Sequence, residues 1–325
     1  MAVIRGTNGA DDIFGTNTGD TIYGYGGSDA IYGYGGNDVI YGGAGNDDLM
    51  GGTGVNNLYG GSGSDWFVMS ARGAGLSDDY VADFEFDIDR IDVAAWGISD
   101  FSQIRALLRT DANGDAYFNA SYNGYNHFIT IGQVSIADLQ SNDFVYSNSG
   151  AVTRNGTAYA DTLFGSRSND ALNGGGGNDT LLGGLGNDAL SGSTGNDALN
   201  GGAGNDRLVG GAGADRLAGS SGGDAFIFNA ASETAPTTTR RDTITDFQED
   251  IDYIGLSAID ANVHVAGNQA FSFIGTANFT KAGQVNYVYS GTSTIIRLNT
   301  DADLAAEAHI VLAGRHAMIS GDFAL

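Results

Sequence analysis

The sequence predicts an all-β chain built as two parallel β-rolls, each followed by an antiparallel β cap. Three observations carry that expectation: a nine-residue period that runs unbroken through two separate stretches, an aspartate and an apolar residue recurring at fixed places in it, and a similar strand-rich segment after each stretch.

The first stretch, residues 6–68, reads GTNGADDIF, GTNTGDTIY, GYGGSDAIY, GYGGNDVIY, GGAGNDDLM, GGTGVNNLY and GGSGSDWFV. The second, residues 156–227, reads GTAYADTLF, GSRSNDALN, GGGGNDTLL, GGLGNDALS, GSTGNDALN, GGAGNDRLV, GGAGADRLA and GSSGGDAFI. Position eight is always apolar, from Ile13, Ile22, Ile31 and Ile40 to Leu217 and Phe226. Side chains alternate along a strand, so a three-residue strand at positions seven to nine turns position eight inward. The glycines ahead of it can take the left-handed conformations that reverse the chain, so two units make one coil. Coils then stack about 4.8 Å apart.

Position six is Asp11, Asp20, Asp29, Asp38, Asp47 and Asp65 in the first stretch, with Asn56 the one departure. In the second it is Asp161, Asp170, Asp179, Asp188, Asp197, Asp206, Asp215 and Asp224. Units two apart share an edge, which places Asp11 over Asp29, Asp47 and Asp65, and Asp20 over Asp38 and Asn56. Carboxylates that close repel unless a cation lies between them. Calcium takes six to eight oxygens, and a bent glycine loop turns main-chain carbonyls toward the same place. One divalent ion per same-edge pair gives roughly eleven, within an expected range of roughly 8–12 calcium ions. That would bring about +22 against a formal net charge of -25.

Composition excludes other classes. With 39 acidic against 14 basic residues, the chain repels phosphate backbones and anionic membrane surfaces. No cysteine is present for disulfides, thiolate metal sites or a thiol nucleophile. No apolar run of about 18 residues occurs, and the N-terminus lacks the apolar core of a cleaved signal peptide.

Both stretches run into related segments, DDYVADFEFDIDRIDV at 78–93 and RDTITDFQEDIDYIGL at 241–256, so the chain is an internal duplication. Later runs such as HFITIG, QVNYVYS and TSTIIRLNT alternate apolar and polar residues as hairpin strands do. The expected domains are 1–150 and 151–325, each a roll with its cap.

The repeats resemble those of repeats-in-toxin proteins. The second half is similar to serralysin C-terminal domains and to the R-modules of alginate epimerases, through IIRLNTDADLAAEAHIVLAG and the final ISGDFAL. That resemblance implies folding in calcium outside the cell and an uncleaved C-terminal signal for an ATP-driven type I exporter, which Asp322-Phe323-Ala324-Leu325 resembles. It also implies calcium sites where roll meets cap, among Asp83, Asp87, Asp89, Asp246, Asp250 and Asp252. Asp111, Asn113 and Asp115 resemble a calcium loop too, although an Asn-Gly hairpin turn accounts for them.

Catalytic chemistry is not expected, since the arrays and caps use nearly the whole chain. There is no HExxH helix, and the four histidines, His127, His264, His309 and His316, are scattered. Gly219-Ser220-Ser221-Gly222-Gly223 fits the G-x-S-x-G pattern but falls in a repeat loop. Position nine of the first stretch should stack Tyr23, Tyr41 and Tyr59 on one outer face, with Tyr25 and Tyr34 nearby: a binding face or a shield for the roll.

The expected function is a non-catalytic secreted calcium-binding protein that forms or attaches to a cell-surface layer, filament or matrix. Two other readings are a calcium-dependent polysaccharide-binding module and a secretion or targeting companion of a separate enzyme. The expected partners are the exporter, transiently, and either further copies of the chain or an extracellular polysaccharide. Nucleic acid and membrane insertion are not expected.

Overall fold

The structure, a computed structural model, describes residues 1–69, 75–147, 150–235, 241–301 and 303–325. The chain forms two compact units, Met1–Ser149 and Gly150–Leu325.

In the first unit alternate repeats feed two sheets. One takes Val3–Arg5, Thr21–Gly26, Val39–Ala44 and Gly54–Ser62; the other takes Asp12–Phe14, Ala30–Tyr32, Asp48–Met50 and Trp66–Val68. Successive repeats of each sheet pair in parallel, two repeats apart: Ile22 with Ile40 and Ile40 with Leu58 in one, Ile13 with Ile31 and Ile31 with Leu49 in the other. The second unit does the same, with Leu172, Leu190 and Leu208 in one sheet and Leu163, Leu181 and Leu199 in the other. Position eight is therefore the core, and Ile22, Ile31, Ile40, Leu49 and Leu58 are fully buried. Ile40→Ala should cost about 3 kcal/mol, because each row of the core has one side chain per coil and no neighbour to fill the gap. Urea unfolding in saturating calcium checks this.

Many strands are longer than the three residues expected. Thr21–Gly26, Val39–Ala44 and Ala171–Gly176 each run six residues, because the ladder continues through the glycines. Tyr25 pairs with Gly43 and Gly26 with Ala44, even though Tyr25 has φ 77° and Gly43 φ 116°.

The rolls do not stop at the last repeat. Val81 pairs in parallel with Leu58 and Ile91 with Phe67; in the second unit Ile244 pairs with Leu217 and Ile254 with Phe226. Each cap thus begins as one more, irregular coil, and its antiparallel part follows. In the first unit that part pairs Ala116–Tyr122 with Tyr125–Ile131; in the second it pairs Ser293–Asn299 with both Gln284–Ser290 and Ala308–Ala313. A short terminal strand closes each unit, Phe144–Val145 beside Arg90–Asp92 and Phe323–Ala324 beside Tyr253–Gly255. Asp143 and Asp322 precede them, and their Oδ2 atoms accept the N–H of Gln140 and Ile319 at 2.7 Å.

The α-helix Phe101–Leu107 starts at Asp100, whose Oδ1 accepts the Ser102 N–H at 2.7 Å. Among the described residues no helix is long and apolar enough to cross a membrane.

Candidate calcium sites

The repeat aspartates form two columns in each roll, and their two oxygens do different work. Oδ1 accepts the backbone N–H of the aspartate one coil back. Asp11 donates to Asp29, Asp29 to Asp47 and Asp47 to Asp65, all at 2.8–2.9 Å. On the other edge Asp20 donates to Asp38 at 2.7 Å. In the second roll Asp161 donates to Asp179, Asp179 to Asp197 and Asp197 to Asp215; Asp170 donates to Asp188, Asp188 to Asp206 and Asp206 to Asp224.

Oδ2 is buried without a hydrogen-bond partner at Asp29, Asp38, Asp47, Asp65, Asp179, Asp188, Asp197, Asp206, Asp215 and Asp224. A buried carboxylate oxygen with nothing to bind costs far more than a single hydrogen bond contributes. Each of these oxygens faces the position-one glycine of its own repeat. A Cβ on Gly42 would lie 2.5 Å from Asp47 Oδ2 and 2.7 Å from the Gly60 carbonyl oxygen of the next coil. The missing side chain thus leaves a cradle lined by a carboxylate and a carbonyl, which is the donor set a hard cation requires.

Burial, reinforced at most of these sites by neighbouring carboxylates, pushes Asp38, Asp179, Asp197, Asp215 and Asp224 up to about 6. It pushes Asp65 and Asp188 up to about 7. A bound divalent ion would remove that penalty.

The first two repeats of each array are closed differently. Asp11 Oδ2 accepts from the Thr7 N–H at 2.6 Å and the Thr7 hydroxyl at 2.8 Å; Asp20 Oδ2 accepts from the same two groups of Thr16 at 2.8 and 2.7 Å. Thr157 does this for Asp161, and for Asp170 the N–H of Ser166 reaches Oδ2 while its hydroxyl reaches Oδ1. In these four repeats the N–H of the position-two residue, with its hydroxyl at Asp11, Asp20 and Asp161, satisfies Oδ2; Ser193 and Ser220 at the same position do not do so for Asp197 and Asp224. Asp20 accordingly has its pKa lowered, first by the Ala2 N–H and then by the Thr16 hydroxyl.

The cap aspartates also have both oxygens engaged. Asp89 accepts from Asp65 and Glu85, and Asp252 from Asp224 and Gln248. Asp83 accepts from Gly60 and Gly61, and Asp246 from Gly219 and Ser220. These four join cap to roll. Asp87 accepts from the Asn142 amide at 2.6 Å; Asp87 and Asp250 both lie in left-handed turns, at φ 61° and 62°.

Three features escape the sequence reading. Position five carries an asparagine ladder: Asn169 Oδ1 accepts from Asn187 N–H, Asn187 from Asn205 and Asn205 from Gly223, each at 2.8 Å. Asn187→Ala removes one such tie and should cost about 1 kcal/mol, measured by melting in saturating calcium. Asp79 and Asp242 occupy position six of the extra coils; both are buried, and Asp242 is pushed up to about 8 by burial and by Asp215 and Glu233. Asp301, Asp303 and Glu307 bring carboxylate oxygens within 4.8 Å of one another in the second cap.

The remaining candidates serve the fold. Asp111 Oδ1 accepts from Asn113 and Asp115, which makes DANGD a self-satisfied turn. Ser221 of the G-x-S-x-G run ends the roll strand Arg216–Ser221 and donates to the Gly202 carbonyl. His127 is buried against Trp96, ring centroids 4.9 Å apart, and burial lowers its pKa. Tyr23, Tyr41 and Tyr59 do stack, with centroids 5.1 and 4.8 Å apart.

Comparison with known proteins agrees with this geometry. Residues 165–325 match the family model of the peptidase M10 serralysin C terminal, and residues 5–40 and 41–68 match that of the RTX calcium-binding nonapeptide repeat. No curated protein matches the sequence significantly. Among solved structures, the AlgE6R2 subunit of the mannuronan C5-epimerase from Azotobacter vinelandii is 23% identical, with TM-score 0.32, over 53% of this chain and 90% of that one. The AlgE6R3 subunit is 24% identical, with TM-score 0.22, over 55% and 81%. Extracellular lipase LipA from Serratia marcescens is 14% identical, with TM-score 0.22, over 98% of this chain and 40% of that one. With nonapeptide repeats that bind several calcium ions and a serralysin-type C-terminal region, the chain belongs to the repeats-in-toxin calcium-binding proteins.

Proposed function

We propose that this chain is a non-catalytic secreted module that folds around columns of calcium after type I export and then builds or attaches to a cell-surface layer, filament or matrix. The carrying observation is the set of ten buried, unpartnered Oδ2 atoms in the repeats, each facing a glycine cradle. Ions at Asp29, Asp38, Asp47, Asp65, Asp179, Asp188, Asp197, Asp206, Asp215 and Asp224 satisfy them, while Asp11, Asp20, Asp161 and Asp170 act as ion-free ends. The serralysin C-terminal match supports export in an unfolded, calcium-poor state. Duplication of the whole roll-and-cap module supports a scaffold more than a single-site binder.

Circular dichroism with sedimentation velocity tests this as calcium is added to chelator-treated protein. A coil-to-strand transition accompanied by growing oligomers is expected. Monomers alone at millimolar calcium and high protein concentration would remove the assembly part of the proposal.

A polysaccharide-binding role is favoured by one feature. Phe14, Tyr25 and Tyr34 are exposed, and Tyr25 and Tyr34 hold φ 77° and 69° at position two, where most later repeats have glycine. Affinity electrophoresis of Tyr25→Ser and Tyr34→Ser in calcium separates this reading from the scaffold.

A further inference from the structure

Two tyrosines of the first roll stand where its later coils have glycine. Tyr25 and Tyr34 occupy position two at φ 77° and 69°, a left-handed conformation that strains a bulky residue. In the coils that follow, Gly43, Gly52 and Gly61 take that place at φ 116°, 89° and 98°. The second roll also holds two side chains this way, Ser193 and Ser220, and ties them down: their hydroxyls donate to Asn173 and Asn200 Oδ1 at 2.9 and 3.0 Å. The side chains of Tyr25 and Tyr34 have no such bond among the described residues and are 47% and 52% exposed.

The two rings have different surroundings. Tyr34 follows the strand Ala30–Tyr32, whose sheet exposes Asp12 and Asp48 at position seven. Tyr25 lies in the other sheet, where position seven is Thr21, Val39 and Asn57, position nine is tyrosine, and neither carries a carboxylate.

Beside Tyr25 the rings are stacked in levels. Tyr23, Tyr41 and Tyr59 follow one another at 5.1 and 4.8 Å, and the Tyr25 ring lies 6.0 Å from that of Tyr23 and within 17° of its plane. Tyr25 pairs with Gly43, and Gly43 with Gly61. Tyr25 therefore heads a column whose next two levels have no side chain, alongside the Tyr41 and Tyr59 rings. Each empty level is one coil high, about 4.8 Å, the spacing at which flat rings stack here. The far end is closed by Asp83, which accepts the N–H of Gly60 and Gly61 at 2.9 and 3.1 Å. The cation Arg5 lies one coil back, over the Tyr23 ring at 5.8 Å, and not at the empty levels.

A ligand for this slot is one ring thick, apolar on its face, hydroxylated at its edge and uncharged. A pyranose has those properties: its C–H groups can lie on the Tyr25 π face, and its hydroxyls can exchange hydrogen bonds with the tyrosine phenols. A uronate would instead bring its carboxylate toward Asp83 on a chain of net charge -25. We propose that the slot beside Tyr25 binds a neutral hexose ring of a glycan, with the Tyr25 ring as its stacking platform. This rests on the polysaccharide-binding reading above and gives that reading a site and a sugar class.

Isothermal titration calorimetry of the full chain in saturating calcium tests it, with neutral oligomers of glucose, mannose and galactose and with an oligouronate. A neutral oligomer should bind and the oligouronate should not. Tyr25→Gly should weaken that binding about tenfold. Its melting temperature in calcium should stay the same or rise, because glycine takes φ 77° without strain. Tyr34→Gly should bind like the parent chain. Undiminished binding by Tyr25→Gly would overturn the slot and leave the polysaccharide reading standing, and a lowered melting temperature would show that the ring serves the roll. Binding of the oligouronate alone would overturn the sugar class. If no oligomer binds, the slot and the polysaccharide reading fall together.

Discussion

Chelating calcium at neutral pH should unfold both rolls, with loss of most of the strand signal in circular dichroism. Neighbouring charged carboxylates about 5 Å apart repel by about 3 kcal/mol at an effective dielectric of 20. Several such pairs in each roll exceed the roughly 5–15 kcal/mol by which a domain is stable. The cores cannot compensate, because each coil contributes only two inward apolar side chains, such as Ile22 and Ile31. Retention of the strand signal in excess chelator at pH 7.5 would refute the column model.

The same physics gives the pH dependence of the calcium-free chain its sign. Burial raises the folded pKa of Asp38 to about 6, of Asp65 and Asp188 to about 7 and of Asp242 to about 8, above the ordinary aspartate value of 3.8. The folded state therefore binds more protons than the unfolded one, so stability is highest below the unfolded pKa and is lost as pH rises through about 6 to 8. Acidifying chelated protein to about pH 4.5 should restore part of the roll. The caps run the other way: burial lowers the pKa of His127, and burial with Arg241 and Arg297 pushes His309 down to about 4. Their contribution is present above the unfolded histidine pKa and declines as pH falls below it. Acid should thus recover strand signal while the environment of Trp96, packed on His127, stays unfolded-like in fluorescence.

The rolls were legible because their period is strict. A fixed apolar residue every ninth position can bury itself in only one way, and Ile40 and Leu199 lie where that rule puts them. The extra coils were not legible, because the spacing changes there: Leu58 pairs with a residue 23 positions on and Leu217 with one 27 positions on. Asp79 and Asp242 fall out of phase with the repeat for that reason, while Asp89 and Asp252 stand out in the duplicated DIDRI and DIDYI. Aligning the two halves on Val81 and Ile244 would have found both. The reading also treats all position-six aspartates alike, and residue type at position two does not by itself mark the closed ones: Thr7, Thr16, Thr157 and Ser166 close Asp11, Asp20, Asp161 and Asp170, whereas Ser193 and Ser220, at φ 74° and 72°, leave Asp197 and Asp224 Oδ2 open. The closing Asp322-Phe323 has an internal twin in Asp143-Phe144, with the same cap bond and the same edge strand. A role in closing the unit therefore accounts for those residues whether or not they also serve export.

Gly195→Ala should be among the most damaging single substitutions in the second roll, costing about 4 kcal/mol even in saturating calcium. Gly195 holds φ 138°, a conformation side chains rarely adopt, and a Cβ there would overlap the Gly177 carbonyl oxygen of the preceding coil. Backbone strain and overpacking add, and the rigid stack of coils offers no direction in which to relax. Gly26→Ala is the control, since its Cβ would meet nothing nearer than the Ala44 carbonyl oxygen at 3.5 Å. Gly42→Ala separates the calcium cradle from the backbone. Its φ is ordinary, so the clash with Asp47 Oδ2 and the Gly60 carbonyl is its main defect. Gly42→Ala should therefore shift the calcium midpoint upward severalfold, whereas Gly195→Ala should lower the melting temperature at saturating calcium. Melting curves across a calcium series decide between them: equal behaviour of the two variants would mean that the position-one glycines do not frame the ion.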